Sequence, residues 1–256
     1  EGLYGTPQTV ALVKTLDQDK IPGTSPGFGS AETADGKKFP YVFPIAASYW
    51  SQGAAAVEFA KEQLGGSLKG KKIASLFYDT PAGREPLPIL QDLAKNEGFE
   101  LRTFAVPAPG VEMGPQVLDI VDRFRADYVI AHLFGRAPSV AIKTLRGHGY
   151  PLGHVISFVW GASEADIAAA GGYQEANGYH MLQFAGVGED YPVIRDIIAA
   201  KGGTKPPTMA TSVYYNRGVM TAAVHVEALR NAIKAKGGAM PTGTDVKAGL
   251  ESIKDF

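Results

Sequence analysis

The sequence predicts an α/β fold of open, mostly parallel sheets flanked by helices, and three observations carry that prediction. Short apolar runs bounded by charged or turn residues recur through the middle of the chain, as in "KKIASLFYD" (71–79) and "ADYVIAHLF" (126–134). Strands buried on both faces read this way. Between the runs lie amphipathic stretches of roughly ten to fifteen residues, the length of a right-handed crossover helix. The two ends of the chain supply helices and few strands, so their strands form a sheet only by pairing with each other and with material preceding residue 1.

The elements follow in order. A helix is expected near 7–19, then the short strand "KIPGTSP" (20–26) and the strand "YVFPIAA" (41–47). After strand 71–79 comes a helix over 86–97 with Leu87, Leu90 and Ala94 on one face. Pro86 and Pro88 are tolerated there only in the first turn, where the missing N–H costs nothing. "FELRTFAV" (99–106) alternates and suits a strand near a sheet edge, and "PQVLDIVDRFR" (115–125) places Val117, Ile120, Val121 and Phe124 on one helical stripe. Strand 126–134, helix 139–149, strand "HVISFVW" (154–160), a short helix at 163–170 and strand "GYHMLQFAG" (178–186) complete the middle block. Residues 189–256 read as mostly helical, with Val219, Ala222, Val226, Leu229 and Ile233 forming the most regular apolar stripe.

Composition narrows the function. The chain has 256 residues, 45% hydrophobic and 20% charged, with a formal net charge of -1, which suits one large or two modest domains. No basic excess favours nucleic acid, and Lys69, Lys71 and Lys72 read as a solvated turn. No apolar run approaches the ~20 residues of a membrane span. Cysteine is absent, which removes disulfides, thiolate nucleophiles and most structural zinc sites but fits both periplasm and cytosol. No signal-peptide pattern is present, so the chain is expected to be either cytosolic or the processed form of an exported protein. "GLESIKDF" stops within a helical pattern and no strand precedes the first helix, so both ends are expected to lie inside a longer chain.

"TSPGFGSAE" (24–32) carries two glycines that suit a phosphate cradle, a tight turn or close approach of a ligand to the backbone. A dinucleotide fingerprint requires a glycine three residues after Gly29, where Glu32 stands, and a helix directly after it, where "TADGKKFP" follows. A Walker pattern is absent too. That leaves a plain turn, or a loop whose N–H groups and Ser25 and Ser30 hydroxyls receive a carboxylate. "GLYGTPQ" (2–8) is similar: Gly5 permits close approach, Thr6 offers a hydroxyl and Pro7 opens a helix, so it is an ordinary cap or an anion site.

Catalytic patterns are weak. The five histidines lack metal spacing, and His132 and His180, inside strands, are expected to be satisfied core residues. No nucleophile elbow occurs, and Asp119 and Asp122 fall on a polar helix face. The expectation is a protein that is not an enzyme and has no cofactor or metal. Tyr4, Phe28, Tyr49, Trp50, Phe134 and Trp160 instead cluster at strand ends or just after them, where open α/β sheets bind ligands.

The ordered series "GLYGTPQT", "IPGTSPGFGS", "YVFPIAASYWSQGAAAVEFAKEQL", "KKIASLFYDTPAGRE", "ADYVIAHLFGRAPSVAIKTLRGHGY" and "YYNRGVMTAAVHVEALRNAI" resembles the type I periplasmic solute-binding proteins of ABC transporters, in the group of the branched-chain amino acid receptors. The resemblance implies two lobes with a ligand cleft between them: 1–47 and 186–256 in an incomplete lobe 1, and 48–185 as lobe 2. It implies crossings near Ala47–Ser48 and Ala185–Gly188. It further implies a ligand carboxylate held by Tyr4, Gly5, Thr6, Gly27, Gly29 and Ser30 beside Phe28, with Ser48 and Tyr49 at the hinge. Ala82, Phe134 and Trp160 would line lobe 2, and Tyr214 or Tyr215 the far wall. Arg84 or Arg217 could add charge to the carboxylate clamp.

Amino-acid receptors of this group carry an acidic residue after the strand that here reads "VISFVWGAS", and Trp160 stands in its place. A buried ammonium without a partner costs several kcal/mol, so an aromatic or aliphatic acid without an amine is expected unless another acid, such as Asp79, reaches the pocket. The resemblance implies an extracytoplasmic receptor, periplasmic or lipid-anchored, monomeric, delivering a small carboxylate to an ABC permease in the inner membrane without contacting nucleic acid. An amino-acid receptor and a ligand-sensing regulatory domain on the same fold are the alternatives.

Overall fold

The computed structural model describes residues 2–27 and 29–254, and the side chains of Tyr4 and Pro26 also lie outside the description. The chain divides into two compact units: Glu1–Ser48 with Ala185–Phe256, and Tyr49–Phe184. Among the described residues no helix is long and apolar enough to cross a membrane.

The second unit is the larger sheet. Strands β4 (Lys72–Tyr78), β5 (Glu100–Val106), β6 (Tyr128–His132), β7 (Val155–Ser157) and β8 (His180–Met181) are all parallel, in the order β5-β4-β6-β7-β8. β5 lies at an edge, as its alternating sequence suggests, while β6 is buried at every position. Successive residues face opposite sides. Ala74, Leu76, Val129 and Ala131 meet one apolar cluster, against α5 (Gly114–Leu118) and α6 (Ala137–Gly147). Ile73, Tyr128, Ile130 and Ile156 meet another, against α2 (Tyr49–Gln63) and α4 (Leu87–Glu97). Side chains such as Phe124 and Phe158, buried completely, each stabilise the unit by about 1.5–3 kcal/mol relative to exposure.

Three expectations change here. The helix over 115–125 starts as α5 but widens into a π-turn at Asp119–Phe124, which still buries Ile120 and Phe124. Strand 154–160 shortens to β7, because the Val159 N–H donates to buried Gln52 Oε1 (3.1 Å) and the chain turns through a 3₁₀ segment, Val159–Gly161. Strand 178–186 pairs only at His180–Met181, since β7 offers it so short a template.

The first unit has a three-stranded parallel sheet, β1 (Gly2–Tyr4), β2 (Gly23–Gly27) and β3 (Val42–Pro44), in that order. Its helices are α1 (Thr6–Asp19), α8 (Pro192–Ala200), α9 (Val213–Ala235) and α10 (Gly243–Glu251). The apolar stripe of α9 and the face that α9 buries are not the same. Val226, Leu229 and Ile233 are each more than 40% exposed, and Val213, Asn216, Arg217, Ala228 and Ala232 are buried instead. The small residues win because α10 packs backbone to backbone: any side chain at Gly249 would run into the Ala228 carbonyl.

Candidate functional site

In the first unit, parallel pairing of β1 with β2 sets Tyr4 opposite Gly27, so the loops that follow both strands emerge side by side. Gly5 sits at the N-cap of α1 with φ +88°, a conformation that strains any L side chain, and its carbonyl accepts from Thr9 Oγ1 (2.8 Å). Thr6 begins the helix and Pro7 follows at its first turn. Thr6 is 7% exposed, and its hydroxyl has no hydrogen-bond partner among the described residues. A buried hydroxyl left open at the positive end of a fourteen-residue helix is an anion-receiving arrangement.

Beside it, Gly29 is buried and Ser30 is half-buried. The Ser30 carbonyl accepts from Thr33 Oγ1 (2.8 Å), which fixes the short 3₁₀ turn Ala31–Ala34. Ser25 departs from expectation: its buried hydroxyl donates to the Leu3 carbonyl (2.6 Å) and ties β1 to β2. Phe28 lies outside the described residues, as does the side chain of Tyr4. Farther along this unit, Tyr214 is exposed and Tyr215 half-buried at the start of α9. The guanidinium of buried Arg217 lies 5.0 Å from the Tyr214 ring centroid. Ser48, half-buried, is the last residue before the second unit. Thr24 Oγ1 contacts His225 Nε2, and burial lowers the pKa of that imidazole.

In the second unit, the carboxyl ends of the central strands gather the aromatics. Tyr49 opens α2 and is 2% exposed; its hydroxyl accepts from Trp160 Nε1 (2.9 Å), and its ring meets the His132 ring edge-on at 4.5 Å. Trp160, half-buried, follows β7 in the 3₁₀ segment that Gln52 holds. Trp50 points elsewhere, with Nε1 donating to the Glu85 carbonyl (3.0 Å).

His132, at the end of β6, is also ringed by Phe134 (4.8 Å) and Phe158 (4.7 Å). Its Nε2 donates to the Ala82 carbonyl (3.0 Å), while Nδ1 has no partner among the described residues. The expected satisfied core histidine is thus only half satisfied, and burial pushes its pKa down to about 3. It is neutral at physiological pH.

The acids near the strand ends are engaged. Asp79 receives Arg84 Nε at 2.8 Å, so those two form a surface ion pair. Buried Asp166 accepts from the Ser163 N–H (3.2 Å) and Oγ (2.7 Å) in the capping box of α7 (Glu164–Ala169). Among the described residues no group of three metal-ligating side chains occurs.

Sequence reasoning missed one further feature of this unit. Phe134 shares a pocket of about 470 Å³ with Tyr78, Pro109, Val111, Gly135 and Arg136. Nothing local signals it, because it forms only where β4, the 107–111 loop and the start of α6 converge.

A family model described as periplasmic binding protein matches residues 2–256. A crystal structure titled as an ABC transporter permease from the Pseudomonas fluorescens group superposes with a TM-score of 0.87 at 35% identity, covering 98% of this chain and 62% of that one. A branched-chain amino acid ABC transporter protein from Thermus thermophilus with bound valine gives a TM-score of 0.80 at 24% identity, covering 97% and 63%. A fatty acid ABC transporter substrate-binding protein from Thermomonospora curvata gives 0.78 at 18%, covering 99% and 64%. The chain therefore spans less than two thirds of the length of these three structures. No curated protein matches it in sequence. With its full described length under one family model and 35% identity to a solved relative, the chain belongs to the periplasmic binding protein family.

Proposed function

We propose that the chain is the ligand-binding part of an extracytoplasmic solute receptor of an ABC importer, and that its ligand is a small carboxylate without an amine, with an aromatic acid favoured. The observation that carries this reading is the open Thr6 hydroxyl at the N-terminus of α1, set beside the Gly29–Ser30 loop. Helix N–H groups, the hydroxyl and a glycine-rich backbone together supply donors and no acceptor charge, which suits a carboxylate.

The second unit disfavours an amine. By the sequence resemblance Trp160 stands where the family's amino-acid receptors carry an acid, and the carboxylates of Asp79 and Asp166 are engaged by Arg84 and in a helix cap. An ammonium desolvated there would lack a counter-charge at a cost of several kcal/mol. Two of the relatives fit a shared carboxylate, since valine and a fatty acid have that group in common. Ser48, Tyr49, Ala82, Phe134, Tyr214 and Tyr215 complete the proposed ligand contacts. Ligand-driven closure about the chain crossings, with no chemistry, then delivers the solute to the permease.

A thermal-shift panel on the full-length protein tests the reading. Ligand at ~100 times its dissociation constant stabilises the native state by about 2.7 kcal/mol, a shift of a few degrees. Benzoate- and cinnamate-type acids are expected to raise the midpoint. A rise with leucine or valine alone would replace this proposal with an amino-acid receptor.

A further inference from the structure

The sequence has four asparagines, and of these Asn177 alone precedes a glycine. Asn177 and Gly178 are both exposed, in the turn that leads from α7 to β8, between buried Ala176 and buried Tyr179. The Tyr179 N–H donates to the Ala176 carbonyl (3.0 Å), and Gly178 has φ +89° while Asn177 has a negative φ. These are the marks of a type II turn, which calls for glycine at its third position. Packing calls for it too, since a Cβ on Gly178 would stand 3.1 Å from the Gly153 backbone nitrogen.

The same glycine leaves the chain open to chemistry. Without a Cβ, nothing on residue 178 shields its amide nitrogen from the Asn177 side chain. Among the described residues the Gly178 N–H donates to no acceptor, and the Asn177 side chain enters no hydrogen bond. Asp35–Gly36 is the contrasting pair. There Asp35 Oδ1 accepts from the N–H groups of Lys37 (3.0 Å) and Lys38 (3.2 Å), and the Gly36 N–H donates to the Ala34 carbonyl (3.1 Å). Nucleophile and electrophile are both engaged at 35–36 and both available at 177–178.

We propose that Asn177–Gly178 is a site of self-modification by deamidation, and that the product loosens the anchor of β8. The Gly178 nitrogen gives its proton to a base in solvent and attacks Asn177 Cγ. The N–Cγ bond forms, the Cγ–Nδ2 bond breaks, and Nδ2 takes a proton from solvent and leaves as ammonia. Water then opens the cyclic imide at either carbonyl. Opening at Cγ leaves aspartate, and opening at the main-chain carbonyl leaves isoaspartate, whose backbone is longer by a methylene. Both products carry a new negative charge at neutral pH. The added methylene enters just ahead of Tyr179, whose hydroxyl donates to the Gly161 carbonyl (3.2 Å) and which leads into β8. In a type II turn the Gly178 nitrogen points away from the side chain, so attack needs a rotation about Asn177 ψ. That rotation is fast beside the chemistry and breaks at most the Tyr179–Ala176 bond, worth about threefold to tenfold in population.

The test incubates the full-length chain at mildly alkaline pH and physiological temperature beside a synthetic peptide of residues 175–180, with peptide-mapping mass spectrometry as the readout. Asn177 is expected to react at least about tenfold faster than Asn96, Asn216 or Asn231, and within about tenfold of the peptide's rate. Asn177→Gln, which would need a larger ring, should stay unmodified. Deamidated protein isolated by anion exchange should show a melting component a few degrees below the untreated chain. Asn177→Asp, with the charge and no added methylene, should lack that component. Asn177 reacting no faster than the other three asparagines, a rate further below the peptide's than stated, or deamidated protein that melts with the untreated chain would each overturn the proposal.

Discussion

Replacing His132 with glutamine removes the titratable group at the centre of the aromatic cluster while keeping an N–H for the Ala82 carbonyl. The imidazole is 1% exposed, and burial, opposed only by the bond to Ala82, lowers its pKa from 6.5 to about 3. In the unfolded chain it takes up a proton near its ordinary pKa. Below that value the unfolded state binds a proton that the folded state refuses. The stability that depends on a neutral His132 is therefore complete above pH 6.5 and is lost as pH falls toward about 3. At about pH 5, some 1.5 units below the unfolded value, the loss is about 2 kcal/mol at ~1.36 kcal/mol per unit. Urea unfolding followed by circular dichroism, run at about pH 7.5 and about pH 5, measures it. Wild type should lose about 2 kcal/mol more than His132→Gln between the two conditions, since His225 and the carboxylates titrate alike in both proteins. Equal losses, within about 0.5 kcal/mol, would mean that water or a counter-charge reaches the imidazole, and the reasoning from burial would fail.

Other substitutions probe the remaining parts of the account. Gly83→Ala drives a Cβ into the Tyr78 carbonyl, so the turn of α3 (Pro81–Arg84) must shift; a loss of about 1–3 kcal/mol should lower Tm by several degrees in a calorimetric scan. Gly5→Ala places a methyl at φ +88° and should cost about 1–2 kcal/mol in urea unfolding. If the α1 loop holds the ligand, it should also weaken carboxylate binding at least tenfold by titration calorimetry, and unchanged affinity would remove Gly5 from the site. Trp160→Phe removes the donor to Tyr49 and should cost about 1 kcal/mol, whereas no change in the same melt would show that the bond is exchanged for water without loss.

Much of the fold was legible because its signals are local. β4 and β6 are continuous apolar runs that no helix pattern mimics, and the alternation of β5 announced an edge. The overlong readings of β7 and β8 failed on a distant contact, the Gln52 side chain that captures the Val159 amide from over a hundred residues away. Which face α9 buries was not legible for a similar reason. Periodicity marks its large residues, while the close approach of α10 at Gly249 buries the small ones, Ala228 and Ala232.

The site divides along the same line. Backbone cradles leave a trace in Gly, Ser and Thr, so the α1 loop and the Gly29–Ser30 loop could be read directly. Ser25 could not be assigned, because its use by Leu3 depends on strand register. The pocket that Phe134 shares with Tyr78 and Arg136 assembles three segments spread over some sixty residues, and none of them alone carries a pattern.

The proposal put most directly at risk is that the chain takes a carboxylate and has no place for an ammonium. 3-Phenylpropionate and phenylalanine differ only in the amine, so titrating both into the full-length protein by calorimetry isolates that group. The account predicts that 3-phenylpropionate binds at least about a hundredfold more tightly, the equivalent of a few kcal/mol for an unpartnered ammonium. Phenylalanine binding as tightly or more tightly would contradict it, and would place a counter-charge for the amine where Trp160 is held to exclude one.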